Sequence, residues 1–430
     1  MPAPMVNALP ADVEEAVART GEAEIVVGIP SFNNADAVGP LVEEVDGSLR
    51  RYFPSRRGVI VHSDGGSTDG TPGRALDAAS RPDVLLQVPF RLYTAQKLAE
   101  PYHGIPGKGT AVQTIFLVAQ RLGAKACVVV DVDTRNTQAD WISNLVRPVV
   151  EEQFDYVAPR YAVRHDPGGG LARGIIYPMT RALYGKRIRL PVGGDVCVSG
   201  SFVSGLLARG AWDADVLQLG IDNWAGVQAV SGGYKTCEAF LGSTIATPRN
   251  VAFDLSAMIA QVLGPLFREM GRTAAAWQKV RGSEPVPVFG QPSDVEDAIP
   301  AVDPRRMIES FRIGYKNLQE VWGIVLPPST LIELKKLHVA ADDGFRFGDE
   351  AWARTVYDFA LGYHYRKMNQ DHLLAALTPL YLGWVASFVL EMKDAGSKLR
   401  EERIERLCAA YETQKPYLIS RWRWPDRFSP

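Results

Sequence analysis

The run Val128-Val129-Val130-Asp131-Val132-Asp133 decides the fold. Its apolar part reads as a buried strand, and it ends in two carboxylates two residues apart. Side chains alternate along a strand, so Asp131 and Asp133 fall on one side, aimed past the sheet edge. Such a pair can hold a divalent metal against a diphosphate. Two acids at a strand end often only cap the following helix, so the neighbouring segments have to decide between these readings.

Upstream, residues 9–20 read as a short leading helix, and 24–30 as a first strand ended by Pro30. Asn33, Asn34 and Asp36 are turn and cap residues before a helix from about 37 to 53. Gly58 to Ser63 is a second strand, followed by the loop Asp64-Gly65-Gly66-Ser67-Thr68-Asp69 and a helix to about 80. Residues 84–88 form a third strand, 108–122 a helix and 126–131 the fourth strand. Strand and helix alternating in short units mean a parallel α/β sheet with both faces covered. Ligands of such sheets collect beyond the carboxyl ends of the strands, where the loops 30–34, 64–69 and 131–133 all lie.

The pattern continues through a strand at 155–158, a helix near 171–184, a Gly-rich turn at 191–195, a helix at 199–209 and a strand at 234–240. Beyond about 250 apolar residues recur at helical spacing, as in Leu255, Met258, Ile259, Val262, Leu263, Leu266 and Phe267. A Pro- and Gly-rich loop covers 282–304, and helical patterns return near 305–321, 348–367, 371–391 and 397–415. The expected division is a catalytic domain over 1–250 and a mostly helical extension over 251–430.

The chain has 430 residues, 46% of them hydrophobic and 22% charged, with a formal net charge of -2. That balance gives no general pull toward nucleic acid. The four cysteines are spread without ligand spacing, which fits reduced thiols in a cytoplasmic protein. No basic and apolar leader opens the chain, and no run reaches the ~18 apolar residues of a membrane span, so no transmembrane segment is expected. Helical extensions often form interfaces, which keeps a homo-oligomer among the expected partners.

Several residues are candidates for a site at the carboxyl edge. Lys108, in Gly104-Ile105-Pro106-Gly107-Lys108-Gly109-Thr110, starts a helix, where a positive charge is unfavourable unless an anion compensates it. It could contact phosphate or hold a carboxylate. Asp64 could accept hydrogen bonds from a base or hydroxyl. Pro30, Phe32 and Asn34 could form one wall of a nucleotide pocket. Asp195, and Asp222 beside Trp224, could bind sugar hydroxyls. Asp133 is the better metal ligand of the opening pair, and Asp131 could reach the metal through water or contact a ribose. Arg164, His165, Arg173 and Arg249 could receive an anionic acceptor.

Together, the 64–69 loop, Gly107-Lys108-Gly109 and Asp131-Val132-Asp133 resemble the GT-A-fold nucleotide-sugar glycosyltransferases. More narrowly, Ile176-Tyr177-Pro178-Met179-Thr180-Arg181-Ala182-Leu183-Tyr184-Gly185, Leu190-Pro191-Val192-Gly193-Gly194-Asp195 and Gly220-Ile221-Asp222-Asn223-Trp224 resemble the retaining glucosyl-3-phosphoglycerate synthase and glucosylglycerate synthase family. The likeness covers roughly 22–290. It implies a Rossmann-like, mostly parallel sheet and a helical C-terminal extension. It implies a nucleoside-diphosphate hexose, a small polar acceptor such as glycerate or 3-phosphoglycerate, and Mg²⁺ or Mn²⁺ at Asp133. By the same likeness Asp222 lies near the transferred sugar and Lys108 binds the donor. The chain departs from the family pattern twice. Ala246 stands where the Leu-Gly-x-x-x-His-x-Pro stretch carries a metal-binding histidine. Gly169-Gly170-Leu171-Ala172-Arg173-Gly174 replaces a hydroxyl-rich acceptor loop. These departures open a second reading, a weakened sugar-nucleotide-binding homologue, and a sugar-phosphate nucleotidyltransferase is a third.

Overall fold

A computed structural model describes residues 8–81, 83–92, 105–136, 138–162, 170–191, 194–209, 212–213, 216–246, 254–292 and 303–424. Among them the chain forms two compact units. One comprises Met1–His165, Leu190–Val251 and Val286–Val295, and the other Asp166–Arg189, Ala252–Pro285 and Glu296–Pro430.

The first unit is built on an eight-stranded sheet. In chain order the strands of the molecule are β1 (Ile25–Ser31), β2 (Gly58–Asp64), β3 (Leu85–Pro89), β4 (Ala126–Val129), β5 (Thr134–Asn136), β6 (Tyr156–Arg160), β7 (Lys186–Arg187), β8 (Val196–Ser199), β9 (Thr236–Phe240), β10 (Thr244–Ala246), β11 (Glu284–Pro285) and β12 (Val288–Phe289). The main sheet runs β12-β9-β6-β8-β4-β1-β2-β3. Its neighbours are parallel except at β8, which is antiparallel to both β4 and β6. Every residue of β1 is buried, as a central strand covered on both faces requires. Ile25, Val27 and Ile29 join Val38, Val42 and Val45 of the helix Ala35–Tyr52 and Trp141, Ile142 and Leu145 of the helix Trp141–Val150 in one core. With its helical region the chain is therefore a mixed, mostly parallel GT-A or Rossmann-like sheet followed by helices, the expected class.

Two expectations need correction here. The fourth strand ends at Val129 rather than at 131. Val130 N–H still donates to Gly28, but the next N–H, that of Asp131, leaves the ladder for the Asp195 carboxylate. Asp131 and Asp133 therefore come after the strand, and strand alternation does not set their directions. The second correction is β8, whose Val-Cys-Val-Ser is too short for period-two patterning to register. Because β8 runs backwards, its first residue meets the last of β4, with Val196 opposite Val129. Asp195 is thereby delivered to the same edge as Asp131.

Two single turns of π-helix, Ala172–Ile176 and Val216–Gly220, each run directly into an α-helix, Tyr177–Tyr184 and Ile221–Ser231. The second unit holds the helices Leu255–Arg272, Pro304–Val325, Pro328–Val339, Asp349–His364, Gln370–Met392 and Ser397–Arg423, the last of which packs on the Tyr177–Tyr184 helix. Among the described residues one of these helices is long and apolar enough for a membrane span by length and composition alone. It is Gln370–Met392, with a mean hydropathy of 1.9. Its polar residues are scattered, so no single apolar run betrays it. In the fold 61% of its most apolar window is buried, and it packs against three other helices of the unit. The four cysteines are unpaired and buried.

Candidate functional site

At the carboxyl ends of β1 and β2 the loops 31–35 and 64–71 are knitted together. Gly65 N–H donates to the Ser31 carbonyl, Asn33 N–H to Ser67 Oγ, Thr68 N–H to Asn33 Oδ1, Asn34 N–H to Thr71 Oγ1 and Ala35 N–H to Asp69 Oδ2. Asp64 turns inward and accepts from the Gly66 and Ser67 amides, each at 2.8 Å, and from the Ser31 and Ser67 hydroxyls. Behind it His62 is fully buried, with Nε2 2.7 Å from Ser31 Oγ. Burial pushes its imidazole down to about 4 against the opposing pull of Asp64, so His62 is neutral at pH 7.

Asn34 links this rim to the opening pair. Its Oδ1 accepts the Phe32 N–H at 2.9 Å, and its Nδ2 donates to Asp133 Oδ1 at 2.9 Å. Pro30 is buried beneath the rim, and the half-buried Phe32 packs on the core.

The centre of the edge is a buried charge cluster. Lys108 is the first residue of the helix Lys108–Arg121 and is only 2% exposed. Its ammonium donates to Asp131 Oδ1 at 2.7 Å and to Asp222 Oδ2 at 3.0 Å. Burial alone would push the lysine pKa down, but the two carboxylates outweigh it and hold the group protonated. Asp222 arrives on the first turn of Ile221–Ser231, directly after the π turn. Gly109 makes that approach possible, because a Cβ there would overlap the Val216 carbonyl and lie 2.6 Å from Leu217 Cα. Thr110 Oγ1 adds a bond to the Leu217 carbonyl, and Phe116, Trp212 and Trp224 stack edge to face between the two helices.

Asp131 is held from two more sides. Its N–H donates to Asp195 Oδ1 at 3.0 Å, and Tyr161 OH donates to Asp195 Oδ2 at 2.7 Å. Gly194 presses on the Asp131 carboxylate so closely that a Cβ would overlap Oδ2. Asp195 is thus a buried brace with both oxygens engaged by protein donors.

The fold brings together Lys108, Asp131, Asp195 and Asp222 in one bonded chain, and Asn34 with Asp133 in another. Asp64 spends its oxygens on its own loop. Sequence reading missed Tyr161, His62 and Ser31, which belong to no motif. Strand register pairing Ser31 with Asp64 and Ile29 with His62 was the one signal that could have found the last two. Of the expected acceptor residues, Arg164, His165 and Arg249 lie outside the described residues, and Arg173 belongs to the helical unit.

The implied divalent cation can be tested against these atoms. Asp131 is committed to Lys108 and backed by Gly194, and one Asp133 oxygen accepts from Asn34. Among the described residues no group of three His, Cys, Asp or Glu side chains could hold a metal. The described residues do not fit a cation held by protein ligands alone.

No protein-family model matches the chain, and no curated protein matches it. Solved structures do. A mycobacterial protein is 23% identical with a TM-score of 0.42, over 62% of this chain and 80% of that one. Glucosyl-3-phosphoglycerate synthase from Mycobacterium tuberculosis, in complex with Mg²⁺ and uridine diphosphate, is 18% identical with a TM-score of 0.40, over 61% of this chain and 83% of that one. Mannosyl-3-phosphoglycerate synthase from Rubrobacter xylanophilus is 19% identical with a TM-score of 0.40, over 64% and 88%. At such scores these are likenesses and no more.

Proposed function

We propose that the chain is a retaining hexosyltransferase that moves a hexose, glucose first among them, from a nucleoside-diphosphate sugar to a small anionic acceptor such as D-glycerate or 3-phosphoglycerate. The observation that carries this reading is the Lys108 ammonium between Asp131 and Asp222 at the carboxyl edge, 2.7 and 3.0 Å from them. An open α/β sheet binds its ligand at that edge. The knitted loops beside it, joined to Asp133 through Asn34, make a rigid rim for a nucleotide.

In this reading the bond from the sugar's anomeric carbon to the β-phosphate oxygen breaks as the acceptor hydroxyl oxygen bonds to that carbon. The hydroxyl proton passes to the departing diphosphate. Asp222 orients the sugar and Lys108 holds Asp222 and Asp131 in place, with Asp195 and Tyr161 fixing Asp131. Pre-set geometry and charge supply the rate, and no covalent nucleophile is assigned.

The test is a panel of nucleotide sugars incubated with and without glycerate and 3-phosphoglycerate, read by product mass and anomeric NMR coupling. Transfer with retained configuration is expected. One observation favours a second reading, a sugar-nucleotide-binding homologue without turnover: Ala246 stands opposite Thr134, one residue beyond Asp133. Nucleotide binding with no product across the panel would select it. Pyrophosphate release from a nucleoside triphosphate and a sugar phosphate would instead select a nucleotidyltransferase.

A further inference from the structure

Four protein donors close around the Asp64 carboxylate at the end of β2. Oδ1 accepts from Ser31 Oγ at 3.0 Å and from Ser67 Oγ at 2.5 Å, and Oδ2 accepts from the Gly66 and Ser67 amides, each at 2.8 Å. An ionised carboxylate offers about four lone-pair sites, so these donors fill it.

His62 commits Ser31 to this arrangement. Both side chains are fully buried, with Nε2 2.7 Å from Oγ. The serine hydroxyl has one proton to give. If Asp64 receives it, the imidazole carries its own proton on Nε2 and donates it to Ser31 Oγ. Nδ1 is then a bare lone pair, and among the described residues it has no partner. The other tautomer would bury an unpaired Nδ1–H and set the Ser31 lone pairs against the carboxylate. One orphaned acceptor costs less than an orphaned donor and a repulsion together. The bonded chain therefore runs from His62 Nε2–H to Ser31 Oγ–H to Asp64 Oδ1. An apolar residue after Val59-Ile60-Val61 would avoid burying an imidazole. What the imidazole adds is a donor beneath Ser31.

We infer that His62 is a positioning residue for the donor's nucleotide: acting through Ser31, it closes Asp64 onto the 64–67 turn, so that this carboxylate shapes the rim and does not itself receive the base. The inference rests on the donor-binding reading of the same edge. The turn so fixed presents Ser67 Oγ and the Thr68 N–H, which hold Asn33 from its backbone and side chain. Asn33 has a φ of 56°, in the left-handed region, and such a residue keeps its conformation only when its surroundings hold it there.

The test uses the full chain and reads no turnover. Uridine, guanosine, cytidine and adenosine diphosphates are bound calorimetrically. Uracil and guanine carry a ring N–H that an open carboxylate accepts, whereas cytosine and adenine present a bare ring nitrogen, so a base-reading Asp64 favours the first pair. Asp64→Asn is expected to weaken all the diphosphates that bind by a common factor. A loss confined to the uracil and guanine nucleotides overturns the inference. Ser31→Ala and His62→Leu are each expected to weaken binding on the order of 2- to 10-fold, and His62→Gln, which keeps a side-chain N–H, to recover most of it. A folded His62→Leu that binds like the wild type overturns the role and leaves the donor reading intact. If His62→Leu does not fold, Ser31→Ala and the ring ¹⁵N signals of the wild type decide. Those signals, assigned by their absence from His62→Gln, are expected to show a neutral imidazole protonated at Nε2; a proton on Nδ1 overturns the chain of bonds. No binding of any of the four nucleotides by the wild type overturns the donor reading and the role of His62 together.

Discussion

Taking an ammonium out of water costs several kcal/mol, and removing one partner of a buried ion pair costs about 3–5 kcal/mol because a charge is left uncompensated. Lys108 is 2% exposed between two carboxylates that are nearly as buried. Lys108→Met is therefore expected to destabilise the chain by about 3–5 kcal/mol in urea unfolding and to abolish transfer. Adding Asp131→Asn should restore part of the stability and none of the activity. Gly109 makes a second residue-scale case. Gly→Ala at an unstrained position usually stabilises by about 0.4–1 kcal/mol. At 109 the new methyl meets the Val216 carbonyl, so the sign reverses to a loss of about 1–3 kcal/mol, with a matching fall in kcat/KM as Asp222 shifts. The sequence announced Lys108, Asp131 and Asp222 as separate candidates. It could not announce their union, because 114 residues separate Lys108 from Asp222 and only the packed fold sets that distance. It offered Asp64 and Asp195 as ligand-binding candidates from their place at the sheet edge and in a Gly-rich turn, and in the fold protein donors meet both carboxylates.

Elements with long apolar runs or full helical periods were legible, as β1, β2 and the helix Lys108–Arg121 show. Elements whose identity depends on pairing were not: β8 has four residues, and the β5 and β10 ribbon has three in each strand. A π turn leaves no mark on the apolar pattern, because one extra residue in a turn only shifts the phase of the next helix. The first of these turns has consequences for where the chain can be cut. The Gly174 carbonyl accepts from Trp352 Nε1 at 2.9 Å and from Tyr411 OH at 3.3 Å, and Trp384 fills the space a side chain at 174 would need. In the adjoining helix, Arg181 pairs with Glu405 and Glu412. Lys415 Nζ donates to the Ala182, Leu183 and Val280 carbonyls. A fragment of residues 1–250 strips every one of these partners from the Tyr177–Tyr184 helix and also removes β12. It is expected to be insoluble or to lack a cooperative thermal transition, whereas the full chain melts cooperatively; calorimetry of both decides.

At the scale of the molecule, one buried group in each unit answers acid in the opposite sense to the other. His62 in the sheet unit is pushed down from 6.5 to about 4 by burial, so the unfolded chain takes up a proton there first. That unit loses stability as pH falls through this window. Asp358 in the helical unit is pushed up from 3.8 to about 7 by burial, against Arg421 and the Tyr417 hydroxyl that donates to both its oxygens. Its folded state keeps the proton, so that unit loses stability as pH rises through its window and changes no further above it. Hydrogen exchange corrected for intrinsic rates is expected to show that His62→Gln reduces the loss of protection of the sheet unit on acidification from about pH 7 to about pH 4.5, and that Asp358→Asn reduces the loss of protection of the helical unit as pH rises across the same range. A variant whose pH dependence matches the wild type overturns the assignment for that residue. The crossing of the chain between units, at 165/166, 189/190, 251/252, 285/286 and 295/296, also sets a timetable for synthesis. The Tyr177–Tyr184 helix leaves the ribosome about 200 residues before Ser397–Arg423, which at ~5–20 residues per second is a wait of roughly 10–40 s. Throughout that interval it lacks its packing against Ser397–Arg423, so nascent chains stalled near residue 390 should be the form of this protein most dependent on chaperones.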